Sequence, residues 1–147
     1  MKSEASEGTV ADSSAENIIK SVPRRPRVLV VDDEQAVGRT IQRLLGDRYE
    51  VTVLTGGRAA LELFETGADF ELILCDLSMP DLGGIDVFGS ASRQRPELAQ
   101  CFVFMTGGTF SSRARDFLDQ VPNARIEKPF DLQTLRTLVQ TRIALRR

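Results

Sequence analysis

Five short apolar runs alternate with longer amphipathic segments from Arg27 to the end of the chain, and this alternation restricts the fold more than any other feature. Runs that are apolar at nearly every position are typical of strands buried on both faces, as in a parallel sheet. The segments between them place apolar residues at helical spacing. The pattern therefore predicts one α/β domain in which helices cover both faces of a five-stranded parallel sheet. The runs begin at Val28, Tyr49, Phe70, Cys101 and Ala124.

Composition excludes several classes of protein. The 147 residues can bury a core without disulfides or metal, and 19 basic against 21 acidic residues create no field that attracts nucleic acid or an anionic membrane. The longest apolar runs are too short for a membrane span or a signal peptide, so a soluble cytoplasmic protein is expected. The chain has no histidine, which excludes nucleophiles, zinc sites and phosphohistidine relays that need one.

Two cysteines, Cys75 and Cys101, lie in apolar runs rather than at metal-ligand spacing. If Asp76 lies level with Thr106 in neighbouring strands, the two thiols are displaced by about four residues, roughly 13 Å, which is too far for a disulfide. The sequence thus predicts two buried, unreactive thiols.

Residues 1–25 differ in composition from the rest of the chain. They are rich in Ser, Glu, Ala and Asp, lack aromatic residues and end near Pro23 and Pro26. We interpret residues 1–25 as a flexible N-terminal tail or linker and residues 26–147 as the folded domain.

Polar residues with related chemistry follow four of the five predicted strands. Asp32 and Asp33 follow the first, Asp76 the third, Thr106 the fourth and Lys128 the fifth. Right-handed crossovers in a parallel sheet bring all these strand ends to one edge. Three carboxylates in one place repel each other unless a cation lies between them, and a hard ion such as Mg²⁺ suits oxygen ligands.

This set of groups matches the needs of phosphoryl transfer onto a carboxylate, with Asp76 as the nucleophile. Each residue also has a simpler interpretation. Asp32 and Asp33 are good helix caps, Asp76 a common turn residue, Thr106 a strand former and Lys128 an ordinary loop charge. Their joint placement at successive strand ends favours the functional interpretation.

Four motifs follow one another within Arg27–Ala144: Val30–Glu34, Cys75–Gly84, Met105–Gly107 and Glu127–Phe130. Together they resemble the receiver domain of two-component response regulators. The resemblance implies a flavodoxin-like (βα)5 fold with strand order 2-1-3-4-5, and Mg²⁺-dependent phosphorylation of Asp76 by the phosphohistidine of a histidine kinase or histidine phosphotransfer protein.

The resemblance also implies a role for each matching residue. Asp33 and Asp76 would ligate Mg²⁺ directly, Asp32 through water, and the carbonyl oxygen of Ser78 would complete the protein ligands. The remaining roles are binding of the phosphoryl group by Thr106 and Lys128, and a cis peptide bond between Lys128 and Pro129.

One position departs from the family pattern. Three residues before Lys128, where these domains usually have an aromatic residue that rotates inward with the Thr, this chain has Arg125. Phosphorylation is expected to draw Thr106 and its loop toward Asp76 and to bias a contact surface made by the fourth helix, fifth strand and fifth helix. How Arg125 enters that change is left open by the sequence.

Three functions are compatible with this sequence. The first is a phosphoacceptor receiver without an output domain, either a stand-alone regulator or the receiver of a hybrid histidine kinase, able to form a homodimer. The second is a phosphohydrolase of the haloacid dehalogenase type, whose motif needs a second Asp two residues after the nucleophile, where this chain has Ser78 after Asp76 and Glu34 after Asp32. The third is a receiver-like scaffold that binds a partner without phosphorylation.

Overall fold

The computed structural model describes residues 24–108 and 111–146, so most of the predicted tail lies outside the described residues. Five parallel strands form one sheet in the order β2-β1-β3-β4-β5, which confirms the predicted fold class and strand order. The strands are β1 (Arg27–Val31), β2 (Glu50–Leu54), β3 (Leu72–Asp76), β4 (Phe102–Thr106) and β5 (Arg125–Glu127).

Helices cover the two faces of the sheet and enclose two apolar cores. Helices α2, α3 and α4 pack on one face through residues such as Phe64, Val87 and Leu118, and α1 and α5 pack on the other through Ile41 and Val139. The helices are α1 (Gln35–Leu45), α2 (Gly57–Glu65), α3 (Gly84–Gln94), α4 (Ser112–Gln120) and α5 (Leu132–Arg146). None of these helices combines the length and apolar character that a membrane span requires.

Strands β3 and β4 are central and buried at every position, as their uninterrupted apolar runs predict. The predicted register was wrong by one residue, because Asp76 pairs with Met105 rather than with Thr106. A second expectation also needs correction: Cys101 ends a 3₁₀ helix, Pro96–Cys101, instead of lying in a strand. Both cysteines are free and buried, as expected.

The connection between β3 and α3 depends on two glycines. A Cβ atom at Gly84 would lie 2.5 Å from the carbonyl oxygen of Asp76, and one at Gly83 would lie 2.9 Å from that of Leu77. The Gly84 amide donates to the Leu77 carbonyl oxygen over 3.0 Å. The helix therefore starts directly against the end of β3, which fixes the chain on both sides of the loop after Asp76.

Candidate functional site

Three aspartates converge at the carboxyl edge of the sheet, as the sequence predicted. Asp32 directly follows β1, and Asp76 ends the neighbouring strand β3, so the parallel register places the two side by side. One carboxylate oxygen from each of Asp32, Asp33 and Asp76 lies within 4.8 Å of the others. Asp32 is fully buried and Asp76 is 5% exposed, whereas Asp33 is exposed. Asp32 does not cap α1; its Oδ1 accepts from the Glu34 amide, over 2.9 Å.

Lys128 directly follows β5, and its ammonium lies among these carboxylates. Its Nζ lies 2.7 Å from Asp32 Oδ2, 3.3 Å from Asp76 Oδ2 and 3.5 Å from Glu34 Oε1. The Lys128 amide donates to the Thr106 carbonyl oxygen over 2.7 Å, which fixes the position of the backbone. Burial lowers the pKa of Lys128, but Asp32 and Asp76 outweigh it and raise that pKa overall, so the ammonium stays charged. The predicted cis peptide bond between Lys128 and Pro129 is present.

The environment of Asp76 disfavours its charged form. Burial raises the pKa of Asp76 most, and the negative charge of Asp32 raises it further. The Ser78 amide, which donates to Asp76 Oδ1 over 3.2 Å, and the Lys128 ammonium oppose this increase without cancelling it. An additional cation beside Asp76 would therefore stabilise the carboxylate.

The donor set fits Mg²⁺. Asp32, Asp76 and Glu34 contact the Lys128 ammonium, and Asp33 lies in the same cluster, so four carboxylates of the described chain lie near one ammonium and negative charge is in excess. All the side-chain ligands are carboxylate oxygens, which hard divalent cations prefer. The structure brings Asp32, Asp33 and Asp76 together, while the backbone of Ser78 contacts Asp76 through its amide; its carbonyl as a metal ligand stays a prediction.

Thr106 ends β4 and is 3% exposed, next to the cluster in the sheet order. A Cβ atom at Gly107 or Gly108 would have no heavy atom of residues 24–108 or 111–146 within 4 Å, so these residues leave open space at the start of this loop. Arg125 pairs with Phe104 in the register of β4 and β5 and is exposed. Phe104 itself packs edge-to-face against Phe88 and Phe117, at centroid distances of 5.4 and 5.1 Å.

Sequence reasoning missed two side chains near the cluster. Glu34 contacts Lys128, although its place beside Asp32 and Asp33 was a visible signal. Asp81 accepts hydrogen bonds from the amides of Gly57, Arg58 and Leu82 over 3.3, 3.2 and 2.7 Å. It thereby caps α2 from the β3–α3 loop, and these amides lower the pKa of Asp81. No local sequence pattern predicts a cap supplied from another loop.

An apolar cavity of 570 Å³ opens beside the cluster, between α1 and the segment that follows β5. Lys128 and Glu34 form its polar wall, and Leu132, which is 44% exposed, lies at its edge. The other lining residues are Ala36, Val37, Thr40, Gly107, Gly108, Pro129 and Phe130. An apolar surface therefore adjoins the acidic cluster directly.

The fold and the acidic edge define a receiver domain. Residues 28–140 match the family model described as the response regulator receiver domain, and the chain belongs to this family. It is thus a receiver domain of two-component signalling, which is a signalling module, and it spans from 12% to 51% of the length of the sensor kinases and transcriptional regulators that it matches.

Individual relatives agree with the family assignment. The chain is 31% identical to the two-component response regulator ORR3 of Oryza sativa subsp. indica, over 75% of this chain and 86% of the relative. It is 30% identical to the sensor kinase CckA of Brucella abortus over 77% of this chain, but spans only 12% of that kinase. A CheY-like receiver domain protein from Methanospirillum hungatei superposes with a TM-score of 0.72 at 26% identity, covering 82% of this chain and 95% of that one.

Proposed function

We propose that Asp76 accepts a phosphoryl group from the phosphohistidine of a partner histidine kinase or phosphotransfer protein, in a reaction that depends on Mg²⁺. The observation that carries this proposal is the buried Asp76 carboxylate, held 3.3 Å from the Lys128 ammonium within a cluster of three aspartates. An oxygen of Asp76 attacks phosphorus as the phosphorus–nitrogen bond to the donor imidazole breaks. The imidazole nitrogen keeps the bonding electron pair and then takes up a proton.

Asp33 and Asp76 would hold Mg²⁺ directly, with Asp32 acting through water and the Ser78 carbonyl completing the set. When bound, Mg²⁺ supplies positive charge that offsets the charge on the phosphoryl oxygens. Lys128 orients Asp76 and pairs with the phosphoryl oxygens after transfer, because its ammonium already lies beside Asp76 Oδ2. The Thr106 hydroxyl donates to the same group from the end of β4.

The apolar cavity beside Lys128 is the proposed docking surface for the donor protein. A histidine carried on a partner helix has to approach Asp76 from outside the sheet edge, and the cavity places an apolar contact next to the reacting carboxylate. Leu132 and Val37 line this approach and would bury apolar surface against the partner.

Phosphorylation would then change the surface formed by α4, β5 and α5. The phosphoryl group carries about −1.5 to −2 charges in place of the single charge of the carboxylate, and it favours conformations in which Thr106 and Gly107 move toward it. The open space around Gly107 and Gly108 permits such movement. Arg125 is exposed on β5 and would keep its solvent contacts rather than replace the usual aromatic residue.

Intact-mass measurement with a small phosphodonor and Mg²⁺ tests the proposal. The wild-type chain should gain one phosphoryl group that is lost at alkaline pH, and EDTA should prevent the gain. Asp76→Asn should show none, whereas the exposed control Asp86→Asn should behave as wild type. Absence of any adduct at saturating donor would favour a phosphorylation-independent scaffold. Multiple-turnover phosphate release from varied substrates would instead indicate a haloacid dehalogenase-type hydrolase.

A further inference from the structure

A second groove, of 580 Å³, lies on the opposite face of the sheet from α1 and α5, between α2 and α3. Leu61, Leu82 and Ile85 form its apolar part and are all partly exposed. Three arginines surround them: Arg58 on α2, Arg93 on α3 and Arg113 on α4. The groove therefore combines an apolar floor with a basic rim and shares no residue with the acidic cluster.

The charge of this rim is only partly neutralised. Arg113 pairs with Asp86 over 2.9 Å, whereas Arg58 and Arg93 form no ion pair with any residue in 24–108 or 111–146. The four charged residues of the groove thus carry a net charge of about +2 at neutral pH. Two unpaired guanidinium groups beside an apolar floor fit an acidic segment that also has apolar side chains.

Gly89 supports close approach of another chain at this place. It lies inside α3 and lines the groove, although glycine weakens a helix interior. A Cβ atom there would meet only Arg93 Nη1, at 3.5 Å, so packing within the described chain does not require glycine. The missing side chain leaves room for an incoming backbone or apolar side chain.

The chain itself contains a segment of complementary chemistry. Residues 3–19 hold four acidic residues and no basic one, and they end in two isoleucines. With Lys2 and Lys20 included, residues 1–23 account for the whole net charge of −2. The described chain starts at Arg24, and Glu4 and Asp12 precede it by 20 and 12 residues, which can span about 65 and about 40 Å. Both distances exceed the diameter of a domain of this size, about 35 Å, so the length of the segment permits these carboxylates to reach the groove. The acidic residues are Glu4, Glu7, Asp12 and Glu16.

We propose that the acidic part of residues 3–19 docks in the groove between α2 and α3, with its carboxylates paired to Arg58 and Arg93. Tethering raises the effective concentration of the segment to the millimolar range, so an intrinsic dissociation constant near 1 mM would already give about half occupancy. Because the contact involves exposed charges, it should weaken strongly as ionic strength rises.

Paramagnetic relaxation in the full-length chain tests this contact without phosphodonor or Mg²⁺, so its outcome is independent of the proposed phosphorylation. A nitroxide on Ser14→Cys should selectively broaden amides of Ile85, Gly89 and Ser90, since the native Cys75 and Cys101 are buried. Broadening should fall at least twofold in 0.5 M salt, and likewise in Arg58→Gln/Arg93→Gln. The matched control Arg39→Gln/Arg43→Gln removes the same charge from α1 and should leave the broadening unchanged.

Gly89→Met provides a test independent of charge, because it fills the groove with a residue that favours helix. It should also reduce the broadening at least twofold. Even broadening over the whole surface, or equal loss in the α1 control, would overturn the proposal. Isotope-labelled chain mixed with spin-labelled, unlabelled chain should show no broadening; localised broadening in that mixture would assign the contact to a second copy and reject the intramolecular one.

Discussion

Replacing Asp81 by alanine isolates the contact that joins the β3–α3 loop to α2. The Asp81 carboxylate accepts from three amides, two of which are the first amides of α2, at 3.3 Å for Gly57 and 3.2 Å for Arg58. Gly56 precedes α2 and provides no side-chain cap of its own. Loss of a helix cap usually lowers the free energy of unfolding by about 0.5–2 kcal/mol. Because Asp81 is exposed to solvent, we expect a loss of about 1 kcal/mol in Asp81→Ala.

The pH dependence of this contribution follows from the lowered pKa of Asp81. The hydrogen bond from the Arg58 amide lowers this pKa most, burial opposes it, and the bonds from the Gly57 and Leu82 amides lower it further. A lowered folded-state pKa adds stability that is complete above the unfolded value, about 3.9, and that is lost as pH falls through the folded value. The difference between wild type and Asp81→Ala should therefore be constant from pH 7 to about pH 5 and should shrink below about pH 4.

Urea unfolding followed by circular dichroism measures these differences. Asp119→Ala removes an exposed aspartate from α4 and should change the free energy of unfolding by less than about 0.5 kcal/mol. Asp81→Asn keeps an acceptor oxygen and should recover part of the loss. Equal stability of wild type and Asp81→Ala at pH 7, or a difference that grows as pH falls below 4, would refute the capping argument.

Three further predictions concern the acidic cluster and its surroundings. Mg²⁺ at 100 times its dissociation constant should raise the free energy of unfolding of wild type by about 2.7 kcal/mol, as measured by thermal unfolding with and without Mg²⁺. Asp33→Asn should be as stable as wild type without metal, because Asp33 is exposed, but it should lose most of the stabilisation by Mg²⁺. Leu132→Glu should reduce phosphotransfer from a cognate kinase at least tenfold in a phosphotransfer assay, because Leu132 lies at the edge of the proposed docking cavity. The same variant should leave labelling by a small phosphodonor within about twofold of wild type, because a small donor does not need that docking surface. Arg125→Ala should leave the rate of Asp76 phosphorylation within about threefold of wild type, because Arg125 is exposed; a tenfold loss in the same mass assay would show that this position is coupled to the reaction.

The sequence predicted the parts of this fold that depend on regular patterns. Uninterrupted apolar runs identified the buried strands, and the resemblance implied their order, which the structure confirms. Polar residues at strand ends identified the cluster because parallel strands share one edge, so Asp32, Asp33 and Asp76 meet as expected. Such predictions need only the chain direction of each strand and the periodicity of its neighbours.

Features that depend on contacts between distant segments were not predictable in the same way. The register of β3 and β4 differs by one residue from the expected one, because strand pairing depends on contacts between both strands. Cys101, which apolar character alone assigned to the strand, ends the 3₁₀ helix Pro96–Cys101. The cap that Asp81 provides for α2 joins residues 23 and 24 positions apart. The apolar cavity beside Lys128 is likewise made by two segments almost 100 residues apart in the chain, at Glu34 and Leu132.

The surroundings of Asp76 favour the uncharged form of its carboxyl group. Asp76 is destabilised as an anion first by burial and then by Asp32, and the Ser78 amide and Lys128 offset this only partly. The Nζ of Lys128 lies 2.7 Å from Asp32 and 3.3 Å from Asp76. On the proposed function, phosphorylation converts the Asp76 carboxylate into an acyl phosphate. The negative charge would then lie on phosphoryl oxygens farther from Asp32, where Lys128 and a bound Mg²⁺ could both approach it. The carboxyl group that burial and Asp32 disfavour as an anion is thus uncharged in the product, and the larger charge of the phosphoryl group lies where two cations would offset it. Asp32→Asn should weaken Mg²⁺ binding, which would appear as a smaller Mg²⁺-dependent rise in the thermal unfolding temperature than in wild type.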